Sequence, residues 1–228
     1  MSSLDHLDSI AERIRADWNQ RNAVRDATLT RSRELIQLCA SAIRASHRDD
    51  FEAAGRLLAE ARAVAAVMRS ETTPYLDLYF AGYTQDAFKE LAEAHMTVAL
   101  AQDHPLPTPE EIGIEAPAYL NGLAEAASEM RRRSLDLIRH GQNAAAERLL
   151  LAMDEIYAVL MTFDFPDAIT GGLRHRVDAL RGVLERTRGD LTVSMRQDAL
   201  RQSLREFEQR IQILNERPSG DGGEQVSE

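Results

Sequence analysis

Cysteine occurs once in the 228 residues, at Cys39, so no internal disulfide can form and a reducing compartment is the simplest setting. Aromatic residues make up only 5%, which disfavours strands, because sheets draw on aromatic and β-branched side chains. Lysine also occurs once, at Lys89, and arginine replaces it elsewhere; we read this mainly as a composition bias. No apolar run approaches the ~20 residues that span a bilayer. The first seventeen residues carry Asp5, Asp8 and Glu12 and hold no apolar core of signal length, which predicts a chain without a secretory leader. A Gly-rich phosphate loop, a cysteine cluster and a His-Glu-x-x-His pattern are all missing. These absences together predict a cytoplasmic protein with no membrane partner.

What is present is a helix-forming palette of Ala, Leu, Arg and Glu. The pattern predicts an all-α, single-domain bundle of about seven helices over residues 1–214, followed by a disordered acidic tail over 215–228. A first long segment runs from Leu4 to His47 with a possible break near Asn22. Asp49 is placed to cap a helix from Phe51 to Arg69, and Pro74 to open one reaching Ala101. Prolines at 105, 107 and 109 mark a connection, in which Thr108-Pro109-Glu110-Glu111 reads as a capping box on a short helix. A fourth long helix runs from Pro117 to a stop at Gly141, and Asn143 is placed to cap a fifth that reaches Phe163. Pro166 and the Gly171-Gly172 pair turn the chain into a sixth helix to Arg188, and a last one runs from Asp190 to Leu214.

Charge is unevenly spread. The net charge is −10, yet six arginines between Asn19 and Arg48 face only Asp26 and Glu34, a local balance of +4 against −14 for the rest. Stepping that helix at about 100° per residue puts Arg33, Arg44, His47 and Arg48 in one arc, with Leu35, Leu38, Cys39 and Ala42 opposite. Such an arc is either a solvated face or a phosphate-binding ridge, since guanidinium forks suit phosphate oxygens.

Two acid pairs fall at helical spacing. Glu90 and Glu93 are three apart, and Glu125 and Glu129 are four apart, so each pair shares a face. Like charges at these spacings cost a helix a few tenths of a kcal/mol. Four such side chains, if their helices pack together, could hold Mg²⁺ or Mn²⁺, ions that polarise phosphodiesters and activate water. They read equally well as exposed acids, with Glu129 paired to Arg132 or Arg133. His95, about 140° around its helix from Glu90, reads as a packing or surface residue.

Four stretches stand out in order along the chain: Ser32-Arg33-Glu34-Leu35-Ile36 through His47-Arg48; Glu90-Leu91-Ala92-Glu93-Ala94; Tyr119-Leu120-Asn121-Gly122-Leu123-Ala124-Glu125 through Glu129-Met130-Arg131-Arg132; and Phe163-Asp164-Phe165-Pro166-Asp167 followed by Leu173-Arg174 and Asp178. Together they resemble the translin family, which includes translin and translin-associated factor X. The resemblance spans roughly residues 20–200. It implies a bundle of about seven helices assembled as a hollow homo-octamer that binds RNA or single-stranded DNA inside its shell. Within the family the factor X type is a Mg²⁺-dependent endoribonuclease, and the translin type binds nucleic acid without the full acidic set. By position, Glu90, Glu93, Glu125 and Glu129 would be the catalytic, metal-holding carboxylates, and Arg33, Arg44, His47 and Arg48 the nucleic-acid contacts. All four acidic positions are filled, which places the chain nearer the nuclease type, with the non-catalytic binding module as the alternative. Glu125 stands where the family usually has Asp, and Ser128 replaces the usual Gly before Glu129.

Overall fold

The computed structural model describes residue 4 and residues 6–215. Among these, the chain is all helix and turn: α1 Leu7–His47, α2 Phe51–Thr72, α3 Leu76–Tyr79, α4 Gly82–Gln102, α5 Pro109–Ile112, α6 Ala116–Arg139, α7 Asn143–Leu160, α8 Asp167–Thr170 and α9 Leu173–Asn215. Six are long and three are single turns. Proline placement explains most boundaries. Pro109 and Pro117 lie in first turns, where the missing N–H costs nothing, and Pro74, Pro105, Pro107 and Pro166 lie in connections. The expected all-α bundle is therefore what forms. The predicted tail lies, from residue 216 on, outside the described residues.

Several boundaries differ from the sequence reading. No break occurs at Asn22, whose amide bonds Asp26 Oδ2 at 3.2 Å while the helix continues. The two last helices are one, because Leu184, Thr187 and Leu191 keep a buried stripe across Gly189. A lone helical glycine costs only about 1 kcal/mol relative to Ala, which that stripe outweighs. Pro74 does not start α4; a turn and α3 intervene. Asp50, not Asp49, caps α2 by accepting from the Ala53 N–H at 3.0 Å. Asp49 instead takes a left-handed φ of 59° and pairs with Arg133 at 2.8 Å. Asn143 is the first residue of α7, not its cap, and its side chain bonds Asp198 and Ser194 on α9. The Thr108–Glu111 capping box forms as expected, and Gly141, just past the end of α6, takes the left-handed φ of 71°.

Helix α6 is the central element, packed on α4, α7 and α9, while α4 lies between α1 and α6. Its inward residues are small: Gly122, Ala124, Ala126, Ala127 and Ser134 are all buried, alongside Leu123 and Met130. The α4–α6 crossing is tightest at Gly122. A Cβ there would lie 2.6 Å from Ala92 Cβ, 2.7 Å from the Lys89 carbonyl oxygen and 2.9 Å from the Glu93 backbone nitrogen. Two of those atoms are backbone, so neither can rotate away.

Gly122→Val is accordingly expected to lower the unfolding free energy by about 1–3 kcal/mol. Gly55→Ala in α2, where an added Cβ meets nothing within 4 Å, should raise it by up to about 1 kcal/mol. Urea titrations of the two variants check both signs.

Candidate functional site

The Gly122 crossing brings the acid pairs together. One carboxylate oxygen each from Glu90, Glu93 and Glu125 lie within 4.8 Å of one another. The two helices are about thirty residues apart in sequence, so this meeting is a product of packing. Glu129 is not part of that trio. It lies one turn further along α6, where His47 Nε2 donates to its Oε1 at 2.6 Å. The alternative pairing of Glu129 with Arg133 does not form; Arg133 bonds Asp49 and the Ser46 carbonyl and lies 5.6 Å over the Phe51 ring.

His47 therefore departs from the predicted ridge. Its side chain is 3% exposed and turned to the carboxylates, whereas Arg33, Arg44 and Arg48 are exposed. By helical stepping, Arg33 and Arg44 lie about 40–60° around α1 from His47, so the arginine face borders the acidic one. His95 is half-buried, and burial with the nearby Arg62 charge pushes it down to about 4. It carries no proton charge at neutral pH and takes no part in the cluster.

Two cations that the sequence did not single out complete the site. Lys89 Nζ donates to Glu125 Oε2 at 2.6 Å and to Glu90 Oε1 at 3.0 Å, joining α4 to α6. Arg176 of α9 donates from Nε to Glu125 Oε1 at 2.7 Å and from its Nη1 to Asn121 Oδ1 at 3.0 Å. Asn121 in turn donates to the Thr170 carbonyl at 2.6 Å, which ties the α8 turn to α6. The one lysine of the chain, directly before Glu90, was a usable signal for the first of these. Nothing in the sequence pairs Arg176 with a carboxylate 51 residues away. Ser128, the residue in place of the family glycine, bonds back to the Ala124 carbonyl at 3.0 Å within its own helix.

The electrostatics separate the acids. Burial pushes Glu93 up to about 8, and the charges of Glu90, Glu125 and Glu129 add to it. Glu125 moves the other way: burial works against its ionisation, but hydrogen bonds from Lys89 and Arg176 outweigh it and hold the carboxyl below the usual range. Glu129 is also held low, by its hydrogen bond from His47. Cys39 is fully buried; burial and then the Glu90 and Glu93 charges push its thiol up to about 12, so it stays protonated and is no metal ligand.

The donor set suits a hard divalent cation. Three carboxylates share one site: burial and then the neighbouring acids raise Glu93, while Lys89 bridges Glu90 and Glu125. An ion that binds oxygens at about 2.1 Å spans about 4.2 Å between opposite ligands, so small rotations close the 4.8 Å spread.

No protein-family model matches the chain. An uncharacterised protein of Methanocaldococcus jannaschii is 30% identical over 196 residues, covering 85% of this chain and 84% of its own length. AfC3PO, solved in complex with duplex RNA, is 30% identical with a TM-score of 0.75, over 81% of this chain and 96% of that one. AfC3PO on its own gives a TM-score of 0.76 at the same identity and coverage. The structure of apo-NeC3PO, at 20% identity, gives 0.74 over 85% of this chain and all of that one, and shows the fold alone. The chain belongs to the translin family. Its fold is the all-α, translin-like bundle that the ordered motifs led one to expect.

Glu93 makes the metal-free protein sensitive to pH. Its folded value of about 8 exceeds the ordinary 4.5, so the folded state holds a proton that the unfolded chain releases. That contribution to stability is full below about pH 4.5 and is lost as pH rises through about 8. Thermal melts in EDTA between pH 5 and 9 should show this decline. Glu93→Gln should flatten it and leave the protein about 1–3 kcal/mol more stable than the parent at pH 8.

Proposed function

We propose that this chain binds RNA, or single-stranded DNA, along the arginine face of α1 and cleaves RNA endonucleolytically at the neighbouring carboxylates with Mg²⁺ or Mn²⁺. The observation that carries the reading is the convergence of Glu90, Glu93 and Glu125 at the α4–α6 crossing, with exposed Arg33, Arg44 and Arg48 on the helix whose His47 meets Glu129. The RNA complex of AfC3PO, at 30% identity over nearly its whole length, supports the choice of polymer.

Glu90, Glu93 and Glu125 would hold the ion. A divalent ion bound there polarises the phosphodiester and makes water a better nucleophile at neutral pH. The guanidinium groups of Arg33, Arg44 and Arg48 take phosphate oxygens and set the strand beside the acids. Glu129, which His47 holds ionised and oriented, would then accept the proton.

A second reading is the non-catalytic binding module. It is favoured by Lys89 and Arg176, which already occupy both oxygens of Glu125. Labelled single-stranded and duplex RNA, each with Mg²⁺ or EDTA, separate the two readings. In the nuclease reading, single Gln substitutions at Glu90, Glu93 or Glu125 should reduce cleavage at least about a hundredfold while RNA affinity changes little. The Arg33→Ala, Arg44→Ala, Arg48→Ala triple variant should weaken binding and reduce the slope of log affinity against log salt by about 0.7 for each phosphate no longer neutralised. Wild-type protein that retains RNA but never shortens it would leave only the binding module.

The same proposal includes a homo-oligomeric shell, an octamer by family likeness. Residues 7–17 of α1 and residues 199–213 of α9 are almost wholly exposed, beyond the Arg21–Asp77 pair on one side and the bonds of Ser194 and Asp198 to Asn143 on the other. Each carries an exposed apolar stripe: Leu7, Ile10, Ile14 and Trp18 on α1, and Leu200, Leu204, Phe207 and Ile211 on α9. Bundles rarely leave such stripes in water unless another chain covers them. Light scattering should give several times the 25.5 kDa chain mass; a monomer at micromolar concentration would remove the shell.

A further inference from the structure

We propose that Lys89 is a built-in competitor for the divalent ion at the carboxylate cluster, holding Glu125 until an ion displaces its ammonium group and so setting the affinity of the site. This rests on the metal reading given above and concerns a residue outside that ligand set.

Three observations carry it. First, Lys89 Nζ bridges Glu125 Oε2 and Glu90 Oε1, so it contacts two of the three side chains that would share an ion. An ammonium offers three donors and no lone pair, so it cannot join a coordination shell and repels a cation placed beside it. Second, Glu125 cannot turn its other oxygen inward without loss, because Arg176 holds Oε1 at 2.7 Å. The ion has to win Oε2 from Lys89. Third, the ammonium has somewhere to go. Lys89 lines an open cavity of about 680 Å³ beside the cluster, together with Gln85, Asp86, Asn121 and Arg176. Asp86 is exposed and lies three residues before Lys89 on α4, a spacing at which a helical acid and base meet. The four-carbon stem of lysine is flexible enough to swing between Glu125 and Asp86 without moving the backbone.

The geometry makes Lys89 a positioning residue with a sign opposite to that of a structural one. It stabilises the empty cluster and opposes the filled one. Loss of a merely structural lysine would loosen the α4–α6 junction and weaken ion binding. Loss of a competitor strengthens it.

The test is Mn²⁺ titration of the intact protein by calorimetry, without RNA. Lys89→Gln, which keeps a donor but removes the charge, should bind Mn²⁺ at least about tenfold more tightly than the parent. Lys89→Arg, which keeps the charge, should stay within about threefold of the parent. Asp86→Asn, an exposed change that removes the second berth of the ammonium, should weaken Mn²⁺ binding severalfold. A parent that binds Mn²⁺ alongside a Lys89→Gln variant that binds no more tightly overturns the role of Lys89 and leaves the metal reading intact. If Lys89→Gln fails to fold, an unchanged affinity in Asp86→Asn overturns it instead. If neither the parent nor any variant binds Mn²⁺, the metal reading itself fails, and this inference with it.

Discussion

The close approach of α4 and α6 at Gly122 is the constraint on which the site depends. No side chain other than hydrogen fits there, because the Lys89 carbonyl and the Glu93 backbone nitrogen would both lie within 3 Å of an added carbon. That contact fixes both the height and the rotation of one helix against the other. Glu125 and Glu129 lie three and seven residues past Gly122, about one and two turns along the same side of α6. Glu90 and Glu93 flank the contact point on α4. The register that buries Gly122 therefore also presents the acids to one another, and a slip of one turn would part them by about 5 Å.

Bringing four carboxylates into a partly dry space is unfavourable, and the protein offsets it in four different ways. Glu125 is held by two cations from different helices, Lys89 and Arg176. Glu90 shares Lys89. Glu129 takes the ring N–H of His47 from α1. Glu93 has no such partner and is the acid pushed up to about 8. The apo cluster is thus neutralised unevenly, three acids by cationic or N–H partners and Glu93 by the proton it keeps at neutral pH. A dication bound at Glu93 would displace that proton but would break no ion pair there.

Much of this was legible in the sequence, and the parts that were not have physical causes. The helical class, the proline-bounded connections and the Thr108 cap follow from local chemistry and were readable. The acid pairs were readable as pairs, since helical spacing is local. Their meeting was not, because it depends on Gly122, and a helical glycine alone does not say which partner atoms press against it. His47 was assigned to the arginine face by angle, yet an arc of about 100° includes its border, and a ring at the border can turn either way. Asp49 and Asp50 are both competent caps. The left-handed turn at Asp49 gave the capping role to Asp50 and freed Asp49 for Arg133. The continuous α9 was hidden because Gly189 weighs against a helix locally, while the buried stripe through Leu191 is a tertiary effect.

The four family-like stretches now have a common explanation. The first, on α1, ends in His47, which holds Glu129. The second supplies Glu90 and Glu93, and the third supplies Gly122, Glu125 and Glu129. The fourth brackets α8 and the start of α9, and Thr170 and Arg176, which lie between its matched residues, reach Asn121 and Glu125. Segments separated by up to 130 residues thus meet at one cluster. A set of loose motifs in fixed order is what such a site leaves in a sequence, because each helix needs only one or two particular side chains at the junction. The remaining positions on each helix need only keep an apolar face toward the core. The specificity of the likeness therefore lies in the spacing between motifs, which the helix lengths and the proline-rich connections set, more than in any single stretch.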